Sequence, residues 1–184
     1  MLKILLIIVV IVVLLTLVDV FFYNKLVKLR NKVDAAWAQI DVQLTRRSEL
    51  IPNLVETVKG YAAHERATLE AVVNARNSAV AAEGPHDKAE AENVLSGALK
   101  SVFALAESYP DLKANQNFLN LQETLTGTED KVAYARQFYN DTVNEYNTKI
   151  ETVPWSAIAR TFKFTEREYF AAGGEARGPV DVDF

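Results

Sequence analysis

The sequence predicts an all-α protein, with one N-terminal transmembrane helix followed by an antiparallel, up-and-down four-helix bundle. Three observations predict it. Twenty of the first 23 residues are apolar. Beyond Asn24 the apolar residues recur at helical steps of three and four. Seven glycines and five prolines in 184 residues are too few for the many tight turns of a β-sandwich. The expected layout is an anchor over residues 1–23, a bundle over 24–152, and an aromatic C-terminal segment with a mobile tail over 153–184.

The anchor comes first. Its apolar core begins at Ile4 and ends at Val18, broken only by Thr16. Extended to Tyr23 it makes about 30 Å of helix, the thickness of a bilayer core. Phe21, Phe22 and Tyr23 supply an aromatic belt. Val-Phe-Phe-Tyr-Asn-Lys follows in place of the small residues a signal peptidase needs, so an uncleaved anchor is expected. Lys25, Lys28, Arg30 and Lys32 flank the C-terminal side against Lys3 and the amine on the other. The positive-inside rule then favours an outward N-terminus and a cytosolic bundle at the inner membrane, with the opposite orientation left open. The same basic cluster can touch anionic head groups or simply stop translocation. Asp19 reads either as a carboxyl reaching the interface or as an interhelical hydrogen-bonding group.

The bundle helices follow. Val33, Trp37, Ile40 and Leu44, then Ile51, Leu54, Val58 and Tyr61, make one stripe. Pro52 interrupts it without shifting its phase, so either a kinked helix or a turn at residues 48–51 is compatible. Leu69, Val72 and Val73 follow, then Ala91, Leu95, Ala98, Val102 and Leu105. Breaks are expected at Gly84-Pro85, Tyr109-Pro110, Gly127, Val153-Pro154 and Gly173-Gly174. Asp87 with Glu90, and Thr126 with Glu129, have capping-box spacing and suggest helix starts. Val132, Arg136, Tyr139, Val143, Tyr146 and Ile150 mark the last long helix. Residues 179–184 are the one strand candidate.

A four-helix bundle returns the chain to its starting end. Trp155, Ile158, Phe162, Phe164, Tyr169 and Phe170, interleaved with Arg160, Lys163 and Arg167, would then lie near the membrane. They read either as a peripheral membrane contact or as a cap on the bundle core. Polar residues at core-like positions form a further set: Arg47, Arg76, Arg136, Tyr139, Asn140, Tyr146 and Asn147. Buried arginines need partners. Asp34, Asp41, Glu56, Glu65 and Glu129 are candidates. Register control explains the set, and so does a polar groove or a self-association surface.

Catalytic chemistry finds little to use. No cysteine and two histidines exclude a thiol nucleophile and leave a histidine triad or metal cage little to draw on. His64-Glu65 opens a His-Glu-x-x-His zinc motif whose last position is Thr68. Glu83-Gly84-Pro85-His86 has metal-pair spacing on a turn. A net charge of −4 argues against a nucleic-acid footprint. No catalytic residue, metal or cofactor is assigned.

The chain resembles the LemA family of bacterial membrane proteins. The resemblance runs through Tyr23-Asn24 to Arg30-Asn31, Val33-Asp34, Trp37, Asp41, Leu44, Arg46-Arg47 and Leu50-Ile51-Pro52-Asn53-Leu54. It continues at Glu56, Gly60-Tyr61, His64-Glu65, Tyr109-Pro110, Asn115, Gly127-Thr128-Glu129, Ala135-Arg136, Tyr139-Asn140 and Tyr146-Asn147. It implies one N-terminal span, a short outward N-terminus, a cytosolic antiparallel bundle and no established enzymatic activity. Family members in magnetotactic bacteria are linked to forming magnetosome membranes, and others are encoded beside membrane proteases. The expected role is a non-enzymatic scaffold or adaptor in the lipid bilayer, a homo-oligomer organising or remodelling membrane. The alternative is a signal-relay or regulatory module for a membrane-protein partner such as a protease.

Overall fold

The computed structural model describes residues 1–171. They form six helices: α1 (Leu2–Lys59), α2 (Arg66–Ala81), α3 (Pro85–Ala106), α4 (Pro110–Lys113), α5 (Gln116–Glu151) and α6 (Trp155–Thr161). There is no strand among the described residues. The strand expected at 179–184, the break at Gly173-Gly174 and the mobile tail lie outside them.

The start of α1 is long and apolar enough to cross a membrane. Every described side chain from Met1 to Phe21 is exposed. Burial begins at Leu26 and then repeats at Leu29, Val33, Ala36, Ile40 and Leu44, resuming at Ile51, Leu54 and Val58. A stripe with this spacing covers one side of a helix, and the helix must bury that side against others.

The helix does not stop at Pro52. A proline nitrogen cannot donate to the carbonyl four residues back, here that of Ser48. Arg76 of α2 supplies the missing donor, its Nε lying 2.9 Å from the Ser48 carbonyl oxygen. Pro52 itself faces solvent. The proline is tolerated because the acceptor it strands is taken up by a neighbouring helix.

The breaks fall at three of the predicted places. Gly84 takes φ +78 and ψ 164, a conformation side chains disfavour, and Pro85 then opens α3 at its first position. Pro110 opens α4, and Pro154 precedes α6. The two expected capping boxes are wrong. Asp87 lies inside the first turn of α3, whose N-cap is Gly84. Thr126 and Gly127 are interior to α5, and the Thr126 hydroxyl donates to the Gln122 carbonyl at 2.9 Å. The cap that starts α5 is Asn115, whose Oδ1 accepts the Phe118 N–H at 3.0 Å. The α3 stripe is also rotated from expectation. Ala89, Glu92, Leu95, Leu99, Val102 and Ala106 are buried, and Ala91, Ala98 and Leu105 flank them.

The chain divides into two compact units. One comprises Met1–Ala38 and Phe138–Arg167; the other comprises Gln39–Gln137 with the stretch that begins at Glu168. In the second unit α2 and α3 pack together. Its core joins Ile51, Leu54 and Val58 of α1 to Leu69 and Val72 of α2, Leu95 and Leu99 of α3, and Phe118 and Leu125 of α5.

Candidate functional site

In the first unit, aromatic and cationic side chains gather where α1 changes from fully exposed to stripe-buried. Phe22 meets Trp155 edge to face, with ring centroids 4.6 Å apart. Tyr23 lies 4.7 Å from Phe162 and 5.8 Å from Phe164. Lys25 and Lys149 both stand over the Trp155 ring, at 5.8 and 5.3 Å. Arg30 stands 5.6 Å over Phe164. Such pairs hold a cation at the face of a ring while its charge stays hydrated.

The chain folds this way for local reasons. Pro154 ends the α5 direction, and the short α6 then buries Trp155, Ser156, Ile158 and Ala159 on one side. Lys163 adopts φ +56. Non-helical backbone follows and is tied down by α5. Asn147 donates from Nδ2 to the Arg167 carbonyl and accepts the Arg167 N–H at Oδ1, both at 2.9 Å. This reciprocal pair satisfies a backbone segment that has no sheet or helix to join. The Tyr146 hydroxyl donates to the Thr165 carbonyl at 3.1 Å. Burial pushes that hydroxyl above its ordinary pKa, against the pull of Arg167 and Arg30. The Arg167 guanidinium reaches Asp34 at 3.0 Å, and Lys32 pairs with Glu145 at 2.9 Å.

Each predicted residue has a place. Ile4, Val18, Asp19 and Phe21 are exposed on α1, and Phe22 and Tyr23 are half-buried. Lys25, Lys28, Arg30 and Lys32 are exposed. Trp155 and Ile158 are buried, Phe164 is half-buried, and Phe162 is 51 % exposed. Phe170 is buried in the second unit, with the Arg136 guanidinium 5.7 Å from its ring. Tyr139 is buried, its ring centroid 5.5 Å from that of Trp37, and Asn140 is half-buried.

The second unit holds the polar cluster. Arg47 occupies a stripe position and is 3 % exposed. Its guanidinium meets Glu92 at 3.0 Å, Glu129 at 2.6 Å and the Ser96 hydroxyl at 2.8 Å. Burial holds the Glu92 carboxyl above its ordinary pKa, although Arg47 and Lys88 pull the other way. Arg76, Lys88, Ser48 and Glu92 line a cavity of about 300 Å³ beside this cluster. Glu129 is among the partners read from sequence. Glu92 is not, although its three-residue spacing from Ala89 and Leu95 marks it as an acid on a core stripe. Lys149 carried no comparable signal, and Arg167 was legible only as a cation of the aromatic segment, because their partners are distant in sequence.

A model of the LemA family matches residues 36–184. "Magnetosome protein MamQ 2" of Paramagnetospirillum magneticum is 25 % identical over 174 residues, covering 80 % of this chain and 64 % of that protein. "Magnetosome protein MamQ" of Magnetospirillum gryphiswaldense shows the same identity and coverage. "Protein LemA" of Metamycoplasma hominis is 27 % identical over 164 residues, covering 87 % of this chain and 73 % of that protein. The chain therefore spans 64 % of the length of these magnetosome relatives. None of these names is that of a known enzyme.

Proposed function

The chain belongs to the LemA family, and from that premise we propose that it is a non-enzymatic, membrane-anchored helical scaffold or adaptor that self-associates and organises membrane. Residues 1–23 are the anchor, 24–152 the bundle, and 153–184 an aromatic segment with a tail. One observation carries the reading. The exposed apolar stretch of α1 gives way to a cluster of aromatics and cations that joins residues 155–164 to it, through Phe22 with Trp155 and Tyr23 with Phe162. Apolar side chains at this density are unsuited to water and suited to lipid, and aromatic-cationic girdles favour the head-group region.

In support of an antiparallel four-helix arrangement, residue numbers rise on α1 as they fall on α5. Within the first unit Phe22 meets Trp155 just beyond α5, Lys32 meets Glu145, and Trp37 meets Tyr139. Within the second, Arg47 of α1 meets Glu92 of α3 and Glu129 of α5. Phe162, exposed beside Tyr23, and the neighbouring Arg160 and Lys163 make the peripheral lipid contact. The magnetosome relatives favour membrane organisation over signal relay.

Mass photometry of the full chain in detergent, with alkaline extraction of the membranes it came from, tests this reading. The protein should resist extraction and appear as discrete multimers. A chain that is released by alkali overturns the anchor, and a strict monomer overturns the self-assembling scaffold.

A further inference from the structure

The cations of the first unit fall into two groups. Lys32 and Arg167 are neutralised within the chain, by Glu145 at 2.9 Å and Asp34 at 3.0 Å. Lys25, Lys28, Arg30, Lys149, Arg160 and Lys163 make no ion pair among the described residues. The acids beside them in sequence, Asp19, Glu151 and Glu166, pair with none of them. The unpaired group goes with the rings that meet the end of the apolar run, Trp155 on Phe22 and Phe162 and Phe164 on Tyr23.

Two of the six share one ring. The ammonium groups of Lys25 and Lys149 lie 5.8 and 5.3 Å from the centre of Trp155. An indole face attracts a cation but carries no net charge. Two like charges drawn to one ring therefore repel, and the described chain supplies no counter-charge. An anion from outside offsets that repulsion. The surroundings say which anion. Trp155 stands 4.6 Å from Phe22, and the described side chains that lead up to Phe22 from Ile4 are exposed and almost all apolar. A free anion gains nothing from such a neighbour. A phospholipid carries its phosphate and its acyl chains on one molecule, so it satisfies the cations and the apolar run together. Lys149 also separates this role from a stop to translocation. Cations that stop or orient a span lie close to it in sequence, whereas Lys149 is near the end of α5 and reaches Trp155 only by folding.

We propose that Lys25, Lys149 and Trp155 form a site for the phosphate of an anionic phospholipid. Lys28, Arg30, Arg160 and Lys163 supply the surrounding positive field, which disfavours the cationic group of a zwitterionic lipid. The site rests on the reading of residues 1–23 as a membrane anchor and adds to it a choice of lipid.

Full-length protein in mild detergent is offered an equimolar mixture of phosphatidylglycerol and phosphatidylcholine, and bound lipid is counted by native mass spectrometry. Phosphatidylglycerol should be retained several-fold over phosphatidylcholine. Lys25→Gln/Lys149→Gln should bring the ratio towards one, and Lys25→Arg/Lys149→Arg should keep it. Lys25→Gln alone, at an exposed position, should lower it part-way and keeps the test intact if the double variant misfolds. Lys100→Gln/Lys131→Gln removes the same charge from exposed positions of the second unit and should leave the ratio unchanged. A preference that survives loss of Lys25 and Lys149 overturns the proposal. Equal loss in the Lys100/Lys131 variant means bulk charge and overturns it too. Inorganic phosphate that displaces the lipid beyond the effect of chloride at equal ionic strength assigns the site to a free anion and overturns the lipid. Alkaline extraction separates this site from the anchor. A parent chain released by alkali overturns both, and one that stays in the membrane but holds the two lipids equally overturns the lipid site alone.

Discussion

At the residue scale, the guanidinium of Arg47 meets two carboxylates of different character. Glu129 is half in solvent and Glu92 is buried. The exposed partner is hydrated and contributes little of its own. The buried one has been stripped of water, and burial outweighs Arg47 in setting its protonation. The fold therefore favours neutral Glu92 more than the unfolded chain does. A carboxyl raised in this way contributes its full share below the ordinary glutamate pKa. That share drains away as pH climbs through the raised value. Glu92→Gln removes the titration and keeps an acceptor for Arg47. Thermal melts from pH 4 to pH 8 should show the variant gaining on the parent as pH rises above the ordinary glutamate range. A Tm difference that is flat with pH would mean that Arg47 fully compensates the burial.

At the element scale, the continuity of α1 through Pro52 depends on a residue in another helix. The bond from Arg76 to the Ser48 carbonyl replaces the one proline cannot make. The two positions should therefore be coupled. Arg76→Met should cost about 1–3 kcal/mol in the parent, because it strands a part-buried acceptor. It should cost roughly 1 kcal/mol less in a Pro52→Ala background, where the alanine N–H reaches that carbonyl. Additive effects in a double-mutant melt would sink the explanation. Much of this was legible in the sequence. The phase across Pro52, the long apolar start of α1, and the breaks at Gly84-Pro85, Tyr109-Pro110 and Val153-Pro154 all follow from periodicity and backbone restriction. The pairing of Pro52 with Arg76 was not legible, since it joins residues whose proximity exists only after α2 packs on α1. The capping boxes misled for a related reason. Thr126 and Asp87 have cap-like neighbours, but a threonine hydroxyl can equally bond the carbonyl four residues back, as Thr126, Thr128 and Thr142 do. The site was half legible. Aromatics and cations of the last segment were identifiable as a group, yet composition could not separate Phe170, which joins Arg136, from Phe162 and Phe164, which join Tyr23.

At the scale of the whole molecule, four cations after the apolar run against Lys3 before it predict an outward N-terminus for the proposed anchor. Single cysteines at exposed positions read it directly in spheroplasts of a bacterial host. A membrane-impermeant maleimide should label Leu2→Cys in intact spheroplasts and Val94→Cys only after lysis. The reverse pattern would invert the topology. The edge contact of Trp155 with Phe22 has an optical consequence. The chain has two tryptophans, and only Trp155 is joined to the last rings of the apolar run, while Trp37 packs beside Tyr139 further along α1. In bilayers containing lipids brominated near the head group, emission from Trp155 should be quenched and that from Trp37 spared. The single-tryptophan variants Trp37→Phe and Trp155→Phe thus give a depth gauge and its reference lamp, readable without an added label.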